Sequence, residues 1–233
     1  MNNDYIKGAK GALPIILGYL PIGFAFGVLA SQQNLTIIDI FSMSLFVYAG
    51  SSQFIAAAMF ASGATAMNII LTTFLVNLRH MLMSASLAPY VKHIPSQVQS
   101  LISFGITDET YAVSVTKVRE EQCSAKYFIG LHAASQTSWI ASTVLGGILG
   151  NFIPDPTRWG IDFALSAMFI GLLLMQMKSH KDLLVSVCAG GISLLIAIGV
   201  EGSWNIIIAT LLAATIGVSI DIWNEKLSLS LSE

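Results

Sequence analysis

Eight apolar stretches follow one another along the chain, at residues 12–30, 37–60, 68–90, 98–115, 128–152, 161–177, 183–200 and 204–223. A helix needs about 20 predominantly apolar residues to cross the hydrocarbon of a bilayer. In lipid every backbone polar group must be satisfied within the protein, which favours helices for runs of this length. Composition agrees. Hydrophobic residues make up 55% and charged ones 10%, where a soluble domain carries about 25% charged residues. Mean hydropathy is +0.74. The expected fold is all-α: a polytopic membrane helix bundle of eight spans, some discontinuous at the midplane, forming a single domain over residues 1–233.

Basic residues orient the spans, because cytoplasmic loops are enriched in Lys and Arg. With the N-terminus inside, the inside segments hold Lys7, Lys10, Lys117, Arg119, Lys126, Lys178, Lys181 and Lys226. The outside loops hold Lys92 and Arg158. An even span count with both termini cytoplasmic follows. Losing the weakest span, 98–115, would scramble this pattern. Lys7 and Lys10 before an apolar run resemble a signal peptide, but Pro14 and Pro21 interrupt that run and Val28-Leu29-Ala30 is a poor cleavage site. The stretch reads as a retained first helix.

Several functions are disfavoured. The net charge of −2 comes with no basic patch for nucleic acid. Cys123 and Cys188 imply no disulfide framework. There is no GxxxxGK[ST] phosphate loop, so ATP is not the direct driver. The chain is read as a non-enzyme without cofactor or metal. Gly23 with Gly27, and Gly146 with Gly150, stand at spacings that let helices approach closely.

Four spans carry an irregularity near their centres. Pro21 cannot donate to the Leu17 carbonyl, which frees that acceptor. YAGSSQF, residues 48–54, is poor helix material. A break at Gly50 would start a new half-helix near Ser51, with free N–H groups of Ser51, Ser52 and Gln53 aimed at an anion. Span three holds Arg79 and His80. In FGITDETYA, residues 104–112, Gly105 would end one half-helix and Thr107 cap the next. Asp108 and Glu109 then fall in its first turn, where the helix dipole favours carboxylates. Broken helices meeting at the midplane are the usual substrate site of secondary transporters. The fifth span carries HAASQTSW, residues 132–139, a weak echo of the second.

A lone charge at the bilayer centre costs roughly 3 kcal/mol on insertion scales. Arg79 therefore needs the bundle interior and a partner, and Asp108 or Glu109 lies at similar depth. Two readings follow. In one, Arg79 and Asp108 are a packing pair. In the other, the cluster binds a zwitterion: Arg79 and the N–H groups near Ser51 take its carboxylate, while Asp108 or the Leu17 carbonyl takes its ammonium. His80, Asp108 and Glu109 are the candidates for proton coupling, with His80 equally readable as a neutral hydrogen-bonding residue. Met81, Met83, Phe54 and Phe104 fit an adaptable apolar pocket or ordinary packing. Tyr90, Trp204 and Trp223 fall at span ends as interfacial anchors.

GALPIILGYLPIGFAFG, YAGSSQF, NLRHMLMSASLAP and GITDETYA, in that order, resemble the AzlC family. This is the large subunit of bacterial branched-chain amino-acid exporters. The resemblance is strongest over residues 11–112. It implies export of branched-chain amino acids and their analogues across the bacterial cytoplasmic (inner) membrane, together with a small AzlD-like membrane subunit. It also implies general importance for Arg79, His80, Asp108 and Glu109. From the residues alone, three rivals stand beside an exporter. They are a channel for small polar solutes, an intramembrane hydrolase using Ser51 or Ser52 with His80, and a scaffold subunit presenting its glycine surfaces to partner helices.

Overall fold

A computed structural model describes residues 3–177, 179–199 and 204–230. Lys178, counted among the inside cations, and Val200, the end of the seventh expected span, lie outside the described residues, as do the side chains of Trp204 and Lys226. Two compact units are distinguished, one up to Phe169 and one from Ile170 onward.

The first unit opens with a short helix α1 (Asn3–Gly11) and continues into α2 (Leu13–Gln32). Next come α3 (Ile37–Ser42), a π-helical turn (Met43–Val47) and α4 (Gly50–Ala61). α5 (Ala66–Val91) follows, then α6 (Ser96–Phe104), α7 (Asp108–Glu120) and α8 (Ala125–Gly150). After two 3-10 turns, α9 (Ala164–Gln176) ends the first unit's sequence and enters the second. The second unit pairs α10 (His180–Ala197) with α11 (Trp204–Ser230).

The protein is thus an all-α membrane bundle with discontinuous helices. Among the described residues, α2, α5 and α10 are long and apolar enough to cross a membrane by length and composition. The other expected spans fall short of that standard for identifiable reasons. The second is cut into α3, the π turn and α4, and the fourth into α6 and α7. α8 has 26 residues but is diluted by His132, Ser135, Gln136, Ser138 and Ser142.

α8 is the central strut, against which α1, α2 and α3 pack. The α2–α8 seam is built on glycine. A Cβ at Gly27 would strike the Thr143 carbonyl oxygen and the Gly147 nitrogen, and one at Gly146 would strike the Phe24 carbonyl. Gly23 lies against Ser142, and Gly150 against Ser31. The four glycines noted in the sequence are therefore spent inside the chain, which removes them as a surface for partner helices. Phe26, Phe128, Leu131 and Trp139 fill the core beside this seam.

Pro21 does not break the first span. α2 runs continuously through it.

Candidate functional site

The site lies where two broken helices meet α2 and α5. The first break comes two residues earlier than Gly50. The π turn ends at Tyr48, which adopts a left-handed conformation at φ 44° and ψ 46°, and Ala49 is extended. The tight reversal lets α4 begin at Gly50, leaving its first N–H groups without helical acceptors and without a side-chain cap. The π turn is also held from α8, where Gln136 Nε2 donates to the Leu45 carbonyl at 3.0 Å.

The second break falls at Gly105–Thr107. Gly105 ends α6 with its N–H on the Leu101 and Ile102 carbonyls. A glycine is required there by close approach, because a Cβ would overlap the His132 ring. Thr107 caps α7. Its Oγ1 accepts from the Thr110 N–H at 3.2 Å, and Thr110 Oγ1 accepts from the Thr107 N–H at 2.7 Å. This reciprocal box sets Asp108 and Glu109 in the first turn of α7.

Arg79 joins the breaks. Its Nη2 lies 3.0 Å from Asp108 Oδ2 and donates to Ser51 Oγ. One guanidinium thus ties α5 to the starts of α4 and α7. Glu109 is held differently: Tyr19, on α2, donates its hydroxyl to Glu109 Oε2 at 2.9 Å, and the same hydroxyl lies 2.6 Å from Thr107 Oγ1. These groups surround a cavity of about 20 Å³, lined also by Tyr48, His80, Gly50 and Trp139. That volume holds roughly one water. The site is closed in this conformation.

Behind it runs a buried polar chain. Trp139 Nε1 donates to Gln53 Oε1 at 2.9 Å, Gln53 Nε2 to Ser44 Oγ at 3.1 Å, and Ser44 Oγ lies 2.8 Å from Thr143 Oγ1. Ser52 donates to Asn77 Oδ1 on α5. These bonds fix the register of α4 against α5 and α8.

The expected residues divide accordingly. Arg79, Asp108, Ser51, His80, Glu109, Thr107 and Gly50 line the cavity. Ser52 and Gln53, the next two residues of α4, do not line it, and their side chains are committed to Asn77 and Trp139. Leu17 lies away from the cluster with its side chain 72% exposed, on the outer face of α2 with Pro21. Leu17 does not line this cavity. The apolar pocket is not assembled either: Phe54 is buried and Met83 packs against the core, but Met81 and Phe104 face outward. Tyr90 and Trp223 are exposed. A Ser–His pair is not formed, since Ser51 Oγ accepts from Arg79 and Ser52 donates to Asn77. Among the described residues there is no group of three His, Cys, Asp or Glu able to hold a metal.

Tyr19, Tyr48 and Trp139 were not foreseen. Tyr19 stands two residues from Leu17 and Pro21, and Tyr48 two residues before Gly50, but only the helix rotation and the left-handed turn bring them to the cavity.

Fold and site together define a polytopic α-helical membrane protein with a charged cluster enclosed between broken helices. The chain belongs to the AzlC family: the family described as AzlC protein matches residues 14–153, which contain every residue of the cluster. It is 30% identical over 193 residues to the inner membrane protein YgaZ of Escherichia coli, covering 80% of this chain and 79% of that one. To the branched-chain amino acid transport protein AzlC of Bacillus subtilis it is 28% identical over 207 residues, 88% of this chain and 80% of that one. A membrane protein of Archaeoglobus fulgidus is 30% identical over 190 residues, 81% and 82% of the two chains. No solved structure matches the chain.

Proposed function

We infer that the protein is a secondary transporter that exports branched-chain amino acids and their analogues from the bacterial cytoplasm. The family supports transport, and the name of the Bacillus subtilis relative supports the substrate class. The observation that carries the mechanism is the placement of Arg79 between Asp108 and the uncapped start of α4. An amino acid is a zwitterion with its charges a few ångströms apart. Its carboxylate replaces Ser51 and Asp108 as the partner of Arg79 and sits at the N–H groups of α4, where the dipole favours an anion. Its ammonium then takes the acidic start of α7, Asp108 and Glu109. The substrate thus exchanges itself for an internal ion pair, so neither charge is stranded when the site empties.

A cavity of about 20 Å³ is too small for a leucine side chain, so binding requires the half-helices to part. This closure supports a carrier over an open channel. Transport is coupled to the proton motive force through the titratable groups at the site: His80, Asp108 and Glu109. A small AzlD-like membrane subunit completes the transporter. The chain crosses the inner membrane eight times as one transport domain, each broken pair counting as one crossing, with both termini cytoplasmic.

The test uses cells loaded with a leucine-containing dipeptide, comparing leucine efflux from the parent with Arg79→Ala and Asp108→Ala. Efflux is expected to fall at least tenfold in both at equal membrane abundance. Unchanged efflux in both rules out this site. Coupling is tested separately: export that persists after the pH gradient and membrane potential are both collapsed, at a fixed leucine gradient, removes the proton from the scheme.

A further inference from the structure

We propose that Glu109 carries the coupling proton and that Tyr19 is its positioning residue, whose hydroxyl switches between donor and acceptor as that proton comes and goes. This assignment rests on the transport reading above and narrows it to one of the three titratable groups named there. The two adjacent carboxylates at the start of α7 have different partners. Asp108 lies 3.0 Å from the Arg79 guanidinium, and a proton there would remove the charge that pairs with Arg79. A proton on His80 would set a second cation beside Arg79. Glu109 forms no ion pair among the described residues. Its Oε2 instead accepts from the Tyr19 hydroxyl at 2.9 Å. The titratable groups that share the cavity with Glu109 are Tyr19 from α2, Tyr48 from the end of the π turn, Arg79 and His80 from α5, and Asp108 on its own helix.

Counting hydrogens shows why a hydroxyl partner suits a proton carrier. Tyr19 is 4% exposed, and its hydroxyl meets both Glu109 Oε2 and, at 2.6 Å, Thr107 Oγ1. It has one hydrogen and cannot donate to both. With Glu109 ionised, Tyr19 donates to the carboxylate and Thr107 donates to Tyr19. With Glu109 protonated, the new O–H donates to Tyr19 Oη, and Tyr19 turns its hydrogen to Thr107 Oγ1. The Thr107 hydrogen then turns to Thr110 Oγ1 at 3.3 Å, while Thr110 Oγ1 keeps donating to the Gly105 carbonyl at 2.9 Å. Each hydroxyl keeps its own hydrogen and only rotates, so the net change is the single proton on Glu109. Neither state strands a buried polar group. The Tyr48 hydroxyl lies against that of Tyr19, on this same side of the cavity. The chain of hydroxyls ends at Gly105–Thr107, so loading the proton rearranges bonds at the break between α6 and α7.

The experiment uses the full chain with its small subunit in proteoliposomes. Infrared difference spectra between about pH 5 and pH 9 follow the carbonyl stretch of a protonated carboxyl. The parent is expected to show such a band, lost as pH rises, and Glu109→Gln is expected to lack it. A band that persists in Glu109→Gln, or no titrating band in the parent, overturns the proposal. In the same vesicles a trapped pH dye reports protons moved with labelled leucine. Leucine-dependent proton movement is expected in the parent and absent in Glu109→Gln. Equal proton movement in both overturns the proposal, as does saturable leucine transport by the parent without protons, which leaves the transport reading standing. No saturable leucine transport by the parent overturns that reading and the proposal with it. Tyr19→Phe keeps the ring and removes the hydroxyl. The charged form of Glu109 loses more than the neutral form, so the midpoint of the band is expected to move up by about one pH unit. A role confined to packing would leave that midpoint in place, and an unmoved midpoint overturns the proposal even where Glu109→Gln fails to insert.

Discussion

The Arg79 guanidinium and the Asp108 carboxylate meet at 3.0 Å across two helices, one continuous and one broken. The pair is partly shielded, with side chains 31% and 16% exposed. Both side chains line the cavity, so the pair can serve packing, substrate binding or both.

These two roles separate in a mutant cycle. Arg79→Met and Asp108→Asn each lose about 1–3 kcal/mol of stability, less than a fully buried pair because of the partial exposure. Combining them recovers much of that loss in a thermal-unfolding assay in detergent, since neither charge is then left facing a neutral group. Leucine transport stays abolished in the double variant. Recovery of transport together with stability would show that the pair serves packing alone.

The α2–α8 seam tolerates no added carbon. Gly27→Ala sets a methyl against the Thr143 carbonyl and is expected to cost about 1–3 kcal/mol. Gly18→Ala, on the same helix with nothing near its missing side chain, is expected to be neutral or slightly stabilising. Equal melting temperatures for the two variants would contradict the seam.

The Thr107 hydroxyl meets the Thr110 N–H, the Thr110 hydroxyl and the Tyr19 hydroxyl. Thr107→Val keeps the shape and removes these bonds, at an expected loss of about 1–2 kcal/mol. Thr107→Ser keeps the bonds and is expected to retain most of the stability. A valine variant as stable as the serine variant would argue against the cap.

Cys123 lies in the α7–α8 connection, buried, with its sulfur toward the Glu121 carbonyl. Burial first, and the charge of Glu121 second, push its thiol above the usual range. The thiolate is the reactive form, so alkylation is slow at neutral pH and accelerates as pH rises through the raised value. Labelling of a Cys188→Ser variant with a maleimide from pH 7 to pH 10 measures this. Fast labelling at pH 7 would place Cys123 in an open loop.

Much of the site was readable because charge inside an apolar run has few explanations. Arg79 demanded a partner, and the neighbouring span offered Asp108. The break at Gly105–Thr107 was legible from a glycine followed by a capping threonine. The first break was harder. Glycine is the usual residue for a left-handed turn, so Gly50 drew attention while Tyr48 took the conformation. No sequence signal marks a π turn. Leu17 was chosen from proline chemistry alone, which frees a carbonyl but does not say which residues line the cavity, and Leu17 is not among them. The Trp139–Gln53–Ser44–Thr143 chain was invisible because it joins the second expected span to the fifth, far apart in sequence. The nine residues of α1 were passed over because they are too polar to span, and they instead pack backbone to backbone on α8, Gly8 against Tyr127 and Tyr5 against Gly130.

The glycine seam has a mechanical consequence. Two backbones touching along their length cannot slide or tilt without collision, so α2 and α8 act as a fixed post. Any opening of the cavity would therefore have to come from the short pieces beside that post, where the helices are already interrupted: α4 at Tyr48–Ala49 and α7 at Gly105–Thr107.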